Sequence, residues 1–340
     1  MKTTLCTLYN SLYLDKGLVL YDSLKENASE FELFVLCMDD KCFEVLSDIG
    51  EERLKPIQLK EVENEEMLAA KANRSIAEYC WTCSSRLIKY VLEKYSPCCC
   101  TYIDADMYFY HNPQILIDEM LSANKSAMII PHRFDSYNKE LEKKVGTYCV
   151  EFNTFKNNDA GHRLLDYWHQ MCIKCCSTLN DGIHWGDQKY LEDFPRLFGN
   201  YVHICQHKGA GIAPWNMEDY SSFRIDNNVI IYDVTGQSCE VVFYHYQGIK
   251  YLSPNEVEIG FKRGQKKLDY ESINSLYKPY LKKLNEKQIL LRTNYSVNLL
   301  VKKHPYKGWD FKSFLKSFKF VNRLLLHIPY FNFAYRINLL

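Results

Sequence analysis

The chain carries no net charge, no apolar run of membrane-spanning length and no leader-like N-terminus. Lys and Arg together number 42, as do Asp and Glu, so no whole-chain field attracts nucleic acid. No apolar stretch approaches the roughly 18 residues that a membrane span needs. The opening residues, MKTTLCTLYN, contain no apolar segment of about 7 to 15 residues with a cleavage site. These absences disfavour a nucleic-acid-binding, an integral membrane or a secreted protein, and they predict a cytoplasmic one.

Fourteen cysteines are present, an unusual number for a protein without a leader. In a chain of 340 residues we interpret them as reduced, small, buried hydrophobic side chains. A zinc site is the alternative, because Cys80 and Cys83 together with Cys172, Cys175 and Cys176 contain enough thiols for four ligands. Both groups lie in helical patterns, and no short Cys/His knuckle frames them. The buried-hydrophobe interpretation is therefore favoured.

The first hundred residues alternate between short apolar runs and amphipathic helical patterns. We predict strands over 3–9, 33–37, 56–59 and 98–103, and helices over 15–27, 41–49 and 75–95. Asp40 is predicted to cap the second helix, and Ser75 with Glu78 has the spacing of a capping box for the third. This alternation predicts an α/β fold with a doubly wound, mostly parallel sheet.

Beyond residue 110 the pattern is more mixed. We predict helices over 114–121 and 159–176, and strands over 127–130, 150–155 and 241–250. No internal repeat is present, and no Pro/Ser-rich linker occurs before about residue 253. The mixed pattern predicts that the two halves of the first 252 residues share one sheet and one core, and that a helical extension follows over 253–340.

Asp104-Ala105-Asp106 is the most informative segment, because it directly follows a predicted buried strand. In open α/β sheets, ligands bind where the strands end at their carboxyl side. Two carboxylates at this spacing can reach one hard divalent cation, which would in turn hold a diphosphate. Asp-x-Asp also occurs by chance in solvated loops. The strand before it and the Tyr-Phe-Tyr-His-Asn-Pro segment after it favour the metal site.

The order of the motifs from Thr3 to Lys250 resembles that of GT-A-type glycosyltransferases, and it is similar to family 8 of these nucleotide-diphospho-sugar transferases. The resemblance implies that Asp104 and Asp106 bind Mn²⁺ or Mg²⁺ against the phosphates of a sugar nucleotide. It implies that His245, in a His-x-x-Gly segment, completes the metal shell and that Lys250 contacts phosphate. The lysine follows the histidine by five residues, one fewer than in the family pattern.

The resemblance also assigns residues to the nucleotide and the sugar. Thr7, Asn10 and Tyr13 occupy the place that supplies base and ribose contacts, with Ala105 between the two acids; capping of the following helix is the alternative for Thr7 and Asn10. Asp187 and Glu151 are the implied catalytic acids. The implied sugar and acceptor contacts are Asn153, Trp185, Gln188, Trp215 and Asn216.

Each sugar-site assignment has a structural alternative. Glu151 and Asn153 share one face of a predicted strand, which an ordinary amphipathic strand would also explain. Asp187 opens a predicted helix and would satisfy free backbone N–H groups there. Trp185, a flat stacking surface beside it, favours the active-site interpretation.

Taken together, these residues predict a metal-dependent glycosyltransferase with residues 1–110 as nucleotide-binding half and 111–252 as sugar and acceptor half. It would transfer a sugar from a nucleotide-diphosphate donor, such as a UDP-sugar, to a glycan or lipid-linked glycan in surface polysaccharide or lipopolysaccharide assembly. Similarity to family 8 implies retention of anomeric configuration. The alternatives are a non-catalytic carbohydrate-binding protein, a sugar-nucleotide hydrolase and a nucleotidyltransferase, although no Gly-rich basic loop follows the first strand.

The C-terminal forty residues are basic, with eight Lys or Arg and one acid, Asp310. Between Phe311 and Ile328 the apolar residues follow helical spacing, and most lysines lie on another face. This pattern is typical of a helix on an anionic membrane surface, so residues 305–340 are predicted to make peripheral membrane contact. A helix packed on the core with a basic outer face is the alternative.

Overall fold

The structure is a computed structural model that describes residues 2–178, 181, 183–225, 228–253, 256–261, 268–299 and 337–338. The strands are β1 (Thr3–Tyr9), β2 (Phe31–Cys37), β3 (Leu54–Gln58), β4 (Cys99–Ile103), β5 (Met107–Phe109), β6 (Ala127–Pro131), β7 (Tyr148–Lys156), β8 (Val202–Ile204), β9 (Tyr220–Ile225), β10 (Asn228–Asp233), β11 (Ser238–Glu240), β12 (Phe243–His245), β13 (Ile249–Ser253), β14 (Glu256–Ile259) and β15 (Ile337–Asn338).

The α-helices are α1 (Leu14–Asn27), α2 (Asp40–Ile49), α3 (Leu59–Val62), α4 (Glu65–Lys71), α5 (Ile76–Tyr95), α6 (Gln114–Ser122), α7 (Leu141–Val145), α8 (Asp159–Lys174), α9 (Asp193–Phe198), α10 (Tyr270–Ser272) and α11 (Lys278–Tyr295). Three 3₁₀ turns cover Ser11–Tyr13, Gln188–Glu192 and Met217–Asp219, and a π-helical turn covers Ile273–Tyr277.

Seven strands form the central sheet, in the order β3-β2-β1-β4-β7-β6-β8. The first four are parallel, β7 runs antiparallel to both of its neighbours, and β6 pairs parallel with β8. The strand order reverses beside β1, next to β4 and the acid pair that follows it. The predicted GT-A-like, doubly wound and mostly parallel sheet with flanking helices is therefore confirmed.

Side chains that alternate along the strands create two apolar layers. Leu5 and Tyr9 of β1 belong to the layer covered by α1, α2 and α6, whereas Cys6 and Leu8 belong to the layer covered by α5 and α8. This two-residue period is the geometric consequence of the pleat. Ser75 and Glu78 form the predicted capping box at the start of α5. The prediction for α2 is wrong by one residue, because Asp39 is its cap and accepts a hydrogen bond from the Cys42 amide.

A short antiparallel ribbon connects distant parts of the chain at the end of the sheet. Strand β12 pairs with β5, which places His245 opposite Met107. The predicted single strand over 241–250 is wrong: β12 ends at His245, and the chain turns through Gly248, whose φ of +86° disfavours other residues, before β13 begins. Because of this turn, His245 lies in β12 opposite Met107, whereas Lys250 lies in β13 opposite Glu258.

The C-terminal part that the structure describes packs on the first helix. In α11, Lys283 and Lys287 lie 2.6 Å from carboxylate oxygens of Glu26 and Asp22 in α1. Apart from β15, the predicted membrane-surface segment over 305–340 lies outside the described residues. Across the described parts of the chain, no helix has the length and apolar character required to cross a membrane.

Candidate active site

Three predicted metal ligands, from two distant parts of the chain, meet at the end of β4. The Nε2 atom of His245 lies 3.1 Å from an Asp106 carboxylate oxygen and 3.7 Å from one of Asp104. The ribbon holds this arrangement, because the amide of Tyr246 donates to the Asp106 carbonyl at 2.8 Å. The structure thus brings together Asp104, Asp106 and His245, the set that the motif resemblance implied.

The charges of this cluster depend strongly on one another. Burial alone would raise the pKa of Asp106, but the charge and hydrogen bond of His245 hold it at about 2. Burial raises the pKa of Asp104 to about 6, with His245 acting in the opposite direction. Burial disfavours the imidazolium, yet Asp106 and its other partners raise the pKa of His245 well above the usual value. A positive charge close to Asp104 and Asp106 therefore stabilises the ionised cluster.

Glu151 lies behind the imidazole. Its carboxylate is 2.7 Å from His245 Nδ1, and its side chain is fully buried. Cys149, Glu151 and His245 are the only group of three potential ligands with atoms within 4.8 Å of one another in the part of the chain that the structure describes. The fixed Nδ1–carboxylate contact resembles the outer partner of a metal-bound histidine, and it would leave Nε2 for a cation.

The structure places Glu151, the predicted acid beside the sugar, behind the imidazole. Glu151 does not line the cavity described below, whereas Asp104 and His245 do. Its 2.7 Å contact with Nδ1 places Glu151 to orient the imidazole.

The donor set fits a hard divalent cation. Two carboxylates and one imidazole nitrogen suit Mn²⁺, and the carboxylates suit Mg²⁺. A cation would supply the positive charge that these acids favour, as the raised pKa of His245 indicates. Zinc on the helical cysteines receives no support, because none of those five belongs to the one group of potential ligands among the described residues.

A cavity of about 380 Å³ adjoins the acid pair. Flat apolar side chains form much of its wall: Trp81, Tyr102, Phe134, Trp185 and Trp215. Polar and charged side chains lie between them: Asp104, His132, Lys144, Asp187 and Gln188. A wall that combines aromatic faces with a few placed polar groups suits a ligand with both ring faces and hydroxyl groups.

Asp187 is nearly buried at this wall. One carboxylate oxygen accepts a hydrogen bond of 2.6 Å from the Ser84 hydroxyl, and Trp168 Nε1 donates to the Asp187 carbonyl at 2.9 Å. Burial raises the pKa of Asp187 to about 7, while the Ser84 hydrogen bond acts to lower it. The side chain makes no capping hydrogen bond to the described 3₁₀ turn that follows. The backbone N–H groups of Asp187 and Gln188 nevertheless act on the carboxylate and lower its pKa, so the structural alternative stays open beside the active-site role.

Of the five predicted sugar and acceptor residues, three line the cavity. These are Trp185, Gln188 and Trp215. Asn216 does not, because its amide accepts from the Ala213 amide and donates to the His132 and Gly211 carbonyls, which holds the loop. Asn153 is fully buried in β7, neither of its amide atoms has a partner in the described structure, and it is absent from the cavity wall.

The predicted nucleotide residues are spread more widely. Thr7 is fully buried inside β1, and the Asn10 side chain accepts from the Leu12 amide as the cap of the first 3₁₀ turn. Tyr13 is 42% exposed, and Ala105 is buried between the two acids. The structure does not bring Lys250 to the acid pair, because it is exposed in β13, opposite Glu258.

Sequence reasoning missed three polar side chains. Ser84 lies in the middle of α5, and no motif marks it. His132 is buried at the cavity wall, where burial lowers its pKa to about 4 and its Nδ1 has no partner among the described residues. Lys16 is buried in the first turn of α1, with Nζ 4.0 Å from an Asp106 oxygen. A lysine inside an otherwise apolar helix face was the one signal available.

No protein-family model matches the chain. Two curated relatives from Bacillus subtilis (strain 168) are the uncharacterized proteins YfnD and YfnF. YfnD is 28% identical over 278 residues, which span 81% of this chain and 86% of the relative. YfnF is 28% identical over 267 residues, which span 76% of this chain and 85% of the relative.

Similar solved structures include two glycosyltransferases. Mouse xyloside xylosyltransferase 1 in its apo form has a TM-score of 0.47 at 12% identity, covering 73% of this chain and 98% of its own. The galactosyltransferase LgtC in complex with donor and acceptor sugar analogs has a TM-score of 0.48 at 15% identity, covering 73% and 87%. The strand order described above confirms the GT-A-like fold, whereas membership of family 8 stays a prediction.

Proposed function

We propose that this chain is a metal-dependent glycosyltransferase that moves a sugar from a UDP-sugar to a hydroxyl group of a glycan acceptor. The observation that carries the proposal is the meeting of Asp104, Asp106 and His245 Nε2 beside an aromatic and polar cavity. A carbohydrate-binding protein would need the cavity but not the buried acid cluster. The combination is what transfer from a charged donor requires.

Each part of the site has a function in this proposal. Asp104, Asp106 and His245 would hold the cation, Mn²⁺ or Mg²⁺, and Glu151 orients the imidazole. When bound, the cation would offset the negative charge that develops on the leaving nucleoside diphosphate. The remaining chemistry belongs to the side chains of the cavity.

The cavity wall positions the sugar and limits access of water. Trp185 and Trp215 offer apolar faces to a pyranose ring, and Gln188 offers an amide. The Asp187 carboxylate accepts a hydrogen bond from a hydroxyl of the transferred sugar or of the acceptor. A mostly aromatic wall keeps water from the anomeric carbon, which favours transfer over hydrolysis. Retention of configuration, implied by the resemblance to family 8, stays a prediction.

Calorimetric titration with UDP tests the donor site directly. We expect UDP to bind the purified protein in the presence of Mn²⁺ and to bind much more weakly without it. Asp106→Ala should abolish the metal-dependent part, whereas Asp159→Ala, at an exposed acid in the first turn of α8, should not change it. Absence of binding to UDP, GDP and CDP would reject the proposal in favour of a carbohydrate-binding protein.

Transfer is distinguished from hydrolysis by the products. With a UDP-sugar that binds, UDP release should depend on an added glycan acceptor and should yield a new glycoside. Equal release without an acceptor, with free sugar as the product, would indicate a sugar-nucleotide hydrolase.

We propose a lipid-linked glycan as the acceptor, from the basic amphipathic pattern of residues 311–328. These residues lie outside the described structure. A surface polysaccharide or lipopolysaccharide pathway would supply such an acceptor at a membrane surface, and the binding of the protein to anionic lipid can be measured independently of transfer.

A further inference from the structure

Lys16 is a buried cation beside the proposed metal site. Its side chain is 7% exposed, and its Nζ lies 4.0 Å from an Asp106 oxygen and 4.0 Å from the centre of the Tyr13 ring. A separation of 4.0 Å is too long for a hydrogen bond, so Asp106 attracts the ammonium without using its donors. Buried lysines are rare unless they are paired, and the pairing of Lys16 with Asp106 and Tyr13 leaves ammonium donors for a further anion.

The backbone on both sides of Lys16 is tightly held. Asp15 is fully buried; it accepts hydrogen bonds from the Tyr251 hydroxyl and, at 3.1 Å, from Gln288 of α11. At Gly17, a Cβ atom would lie 2.3 Å from Cζ of Tyr9, so the helix contacts β1 without room for a side chain. These contacts fix the start of α1 and so restrict the position of the Lys16 ammonium beside Asp106.

Lys250, the expected phosphate contact, lies elsewhere. It is exposed in β13, opposite Glu258. Neither Lys250 nor Lys16 lines the cavity, so the ion pair with Asp106 is what distinguishes Lys16. The turn at Gly248 separates it from His245. Among the described lysines, Lys16 is the one that forms an ion pair with the acid cluster.

The charge balance of the cluster suggests what Lys16 would bind. Asp104, Asp106 and Glu151 surround one imidazole, and a divalent cation bound there would satisfy the acids. The Lys16 ammonium, with donors not used by Asp106, would then face an anion that bridges it and the cation. A diphosphate has oxygen acceptors and the charge for this position.

We propose that Lys16 binds the diphosphate of the donor, in the place that the motif resemblance gave to Lys250. This inference rests on the proposed function, since it presupposes a nucleotide donor. It makes Lys16 a binding residue carried by the first helix, joined through Asp15 to the C-terminal part of the chain.

The test compares Lys16→Met with Lys250→Met, which removes a charge from an exposed site. Mn²⁺ alone and UDP in the presence of saturating Mn²⁺ are titrated calorimetrically into each protein. We expect Lys16→Met to weaken UDP binding by about 10- to 100-fold, since a hydrogen bond to a charged group is lost. Binding of Mn²⁺ alone should become tighter, by about 2- to 10-fold, because a cation next to Asp106 is removed. Lys250→Met should change both affinities less than about 3-fold.

The opposite directions separate a phosphate contact from structural damage. A misfolded site would weaken Mn²⁺ and UDP together, and that outcome would overturn the inference, as would unchanged UDP binding in Lys16→Met. If Lys16→Met does not fold, Lys16→Arg and Lys16→Gln give the same comparison. The arginine variant, which keeps the charge, should then bind UDP more tightly than the glutamine variant. Failure of the unsubstituted protein to bind any nucleoside diphosphate would instead reject the proposed function.

Discussion

Replacing Asp187 with asparagine should make the protein more stable at alkaline pH while it impairs sugar transfer. Asp187 is 5% exposed, and burial raises the pKa of its carboxyl from an ordinary 3.8 to about 7. Between these two values the folded protein holds a proton that the unfolded chain releases. The folded state of the unsubstituted protein therefore loses stability as the pH rises from about 4 to about 7.

The structure sets the size of this effect. At about 1.4 kcal/mol for each pH unit, the displacement from 3.8 to about 7 corresponds to about 4 kcal/mol. Asparagine has nearly the same volume, carries no charge at any pH and can still accept a hydrogen bond from Ser84. Asp187→Asn should therefore gain stability over the unsubstituted protein by up to about 4 kcal/mol between pH 4 and pH 8.

Urea unfolding at pH 5 and pH 8, in the presence of a chelator, measures the effect. Asp104, whose pKa burial raises to about 6, titrates in both proteins, and its charge is part of what raises the pKa of Asp187. Transfer by Asp187→Asn should fall at least about 10-fold, because a charged hydrogen-bond acceptor for substrate is lost. Asp159→Asn, at the exposed start of α8, is the matched control and should show no comparable pH dependence.

A stability difference that stays the same at both pH values would refute the reasoning. It would mean that the Asp187 carboxyl is not held protonated by its surroundings. Increased stability with unchanged transfer would support the electrostatic argument but remove Asp187 from the active site.

Two further predictions concern Ser84 and the basic tail. Ser84→Ala removes the hydroxyl that stabilises the Asp187 carboxylate, so the rising limb of the pH–activity profile should move upward by about one pH unit; Ser85→Ala, a buried neighbour that faces His169, should leave it in place. An unmoved profile in Ser84→Ala would contradict this. Lys312→Glu combined with Lys316→Glu should reduce sedimentation with anionic liposomes several-fold in low salt, since each basic residue near such a surface contributes about 1 kcal/mol. Equal sedimentation of the two proteins would reject the membrane proposal.

Local features of the sequence predicted most helices and strands that lead up to Asp104 and Asp106. The capping box of Ser75 and Glu78 and the apolar run before Asp104 depend on neighbours within a few residues, so single-sequence patterns identify them. The cap and the turn that were predicted wrongly also depend on residues close in sequence. Asp39 and Asp40 are adjacent acids, and either has the chemistry of a cap. The turn at Gly248 lies within an apolar segment that otherwise predicts one continuous strand.

Longer-range placement decided which of the predicted residues enter the cavity. Trp185, Gln188 and Trp215 reach its wall, but the Asn216 amide bonds to backbone groups of its own loop and of His132. The strand pattern correctly placed Glu151 and Asn153 within one buried strand. It did not distinguish a side chain that faces a ligand from one that lies behind His245.

The sequence by itself determined the succession of strands and helices and the position of the two acids at a strand end, because hydrophobic periodicity and capping act over a few residues. Only the tertiary structure decided that His245 meets Asp106 across 139 positions, that Ser84 donates to Asp187 across 103, and that Lys16 lies closer to the acids than Lys250 does. These contacts depend on strand pairing and helix packing between distant segments. Such pairing is set by the whole core, and no single stretch of the chain encodes it.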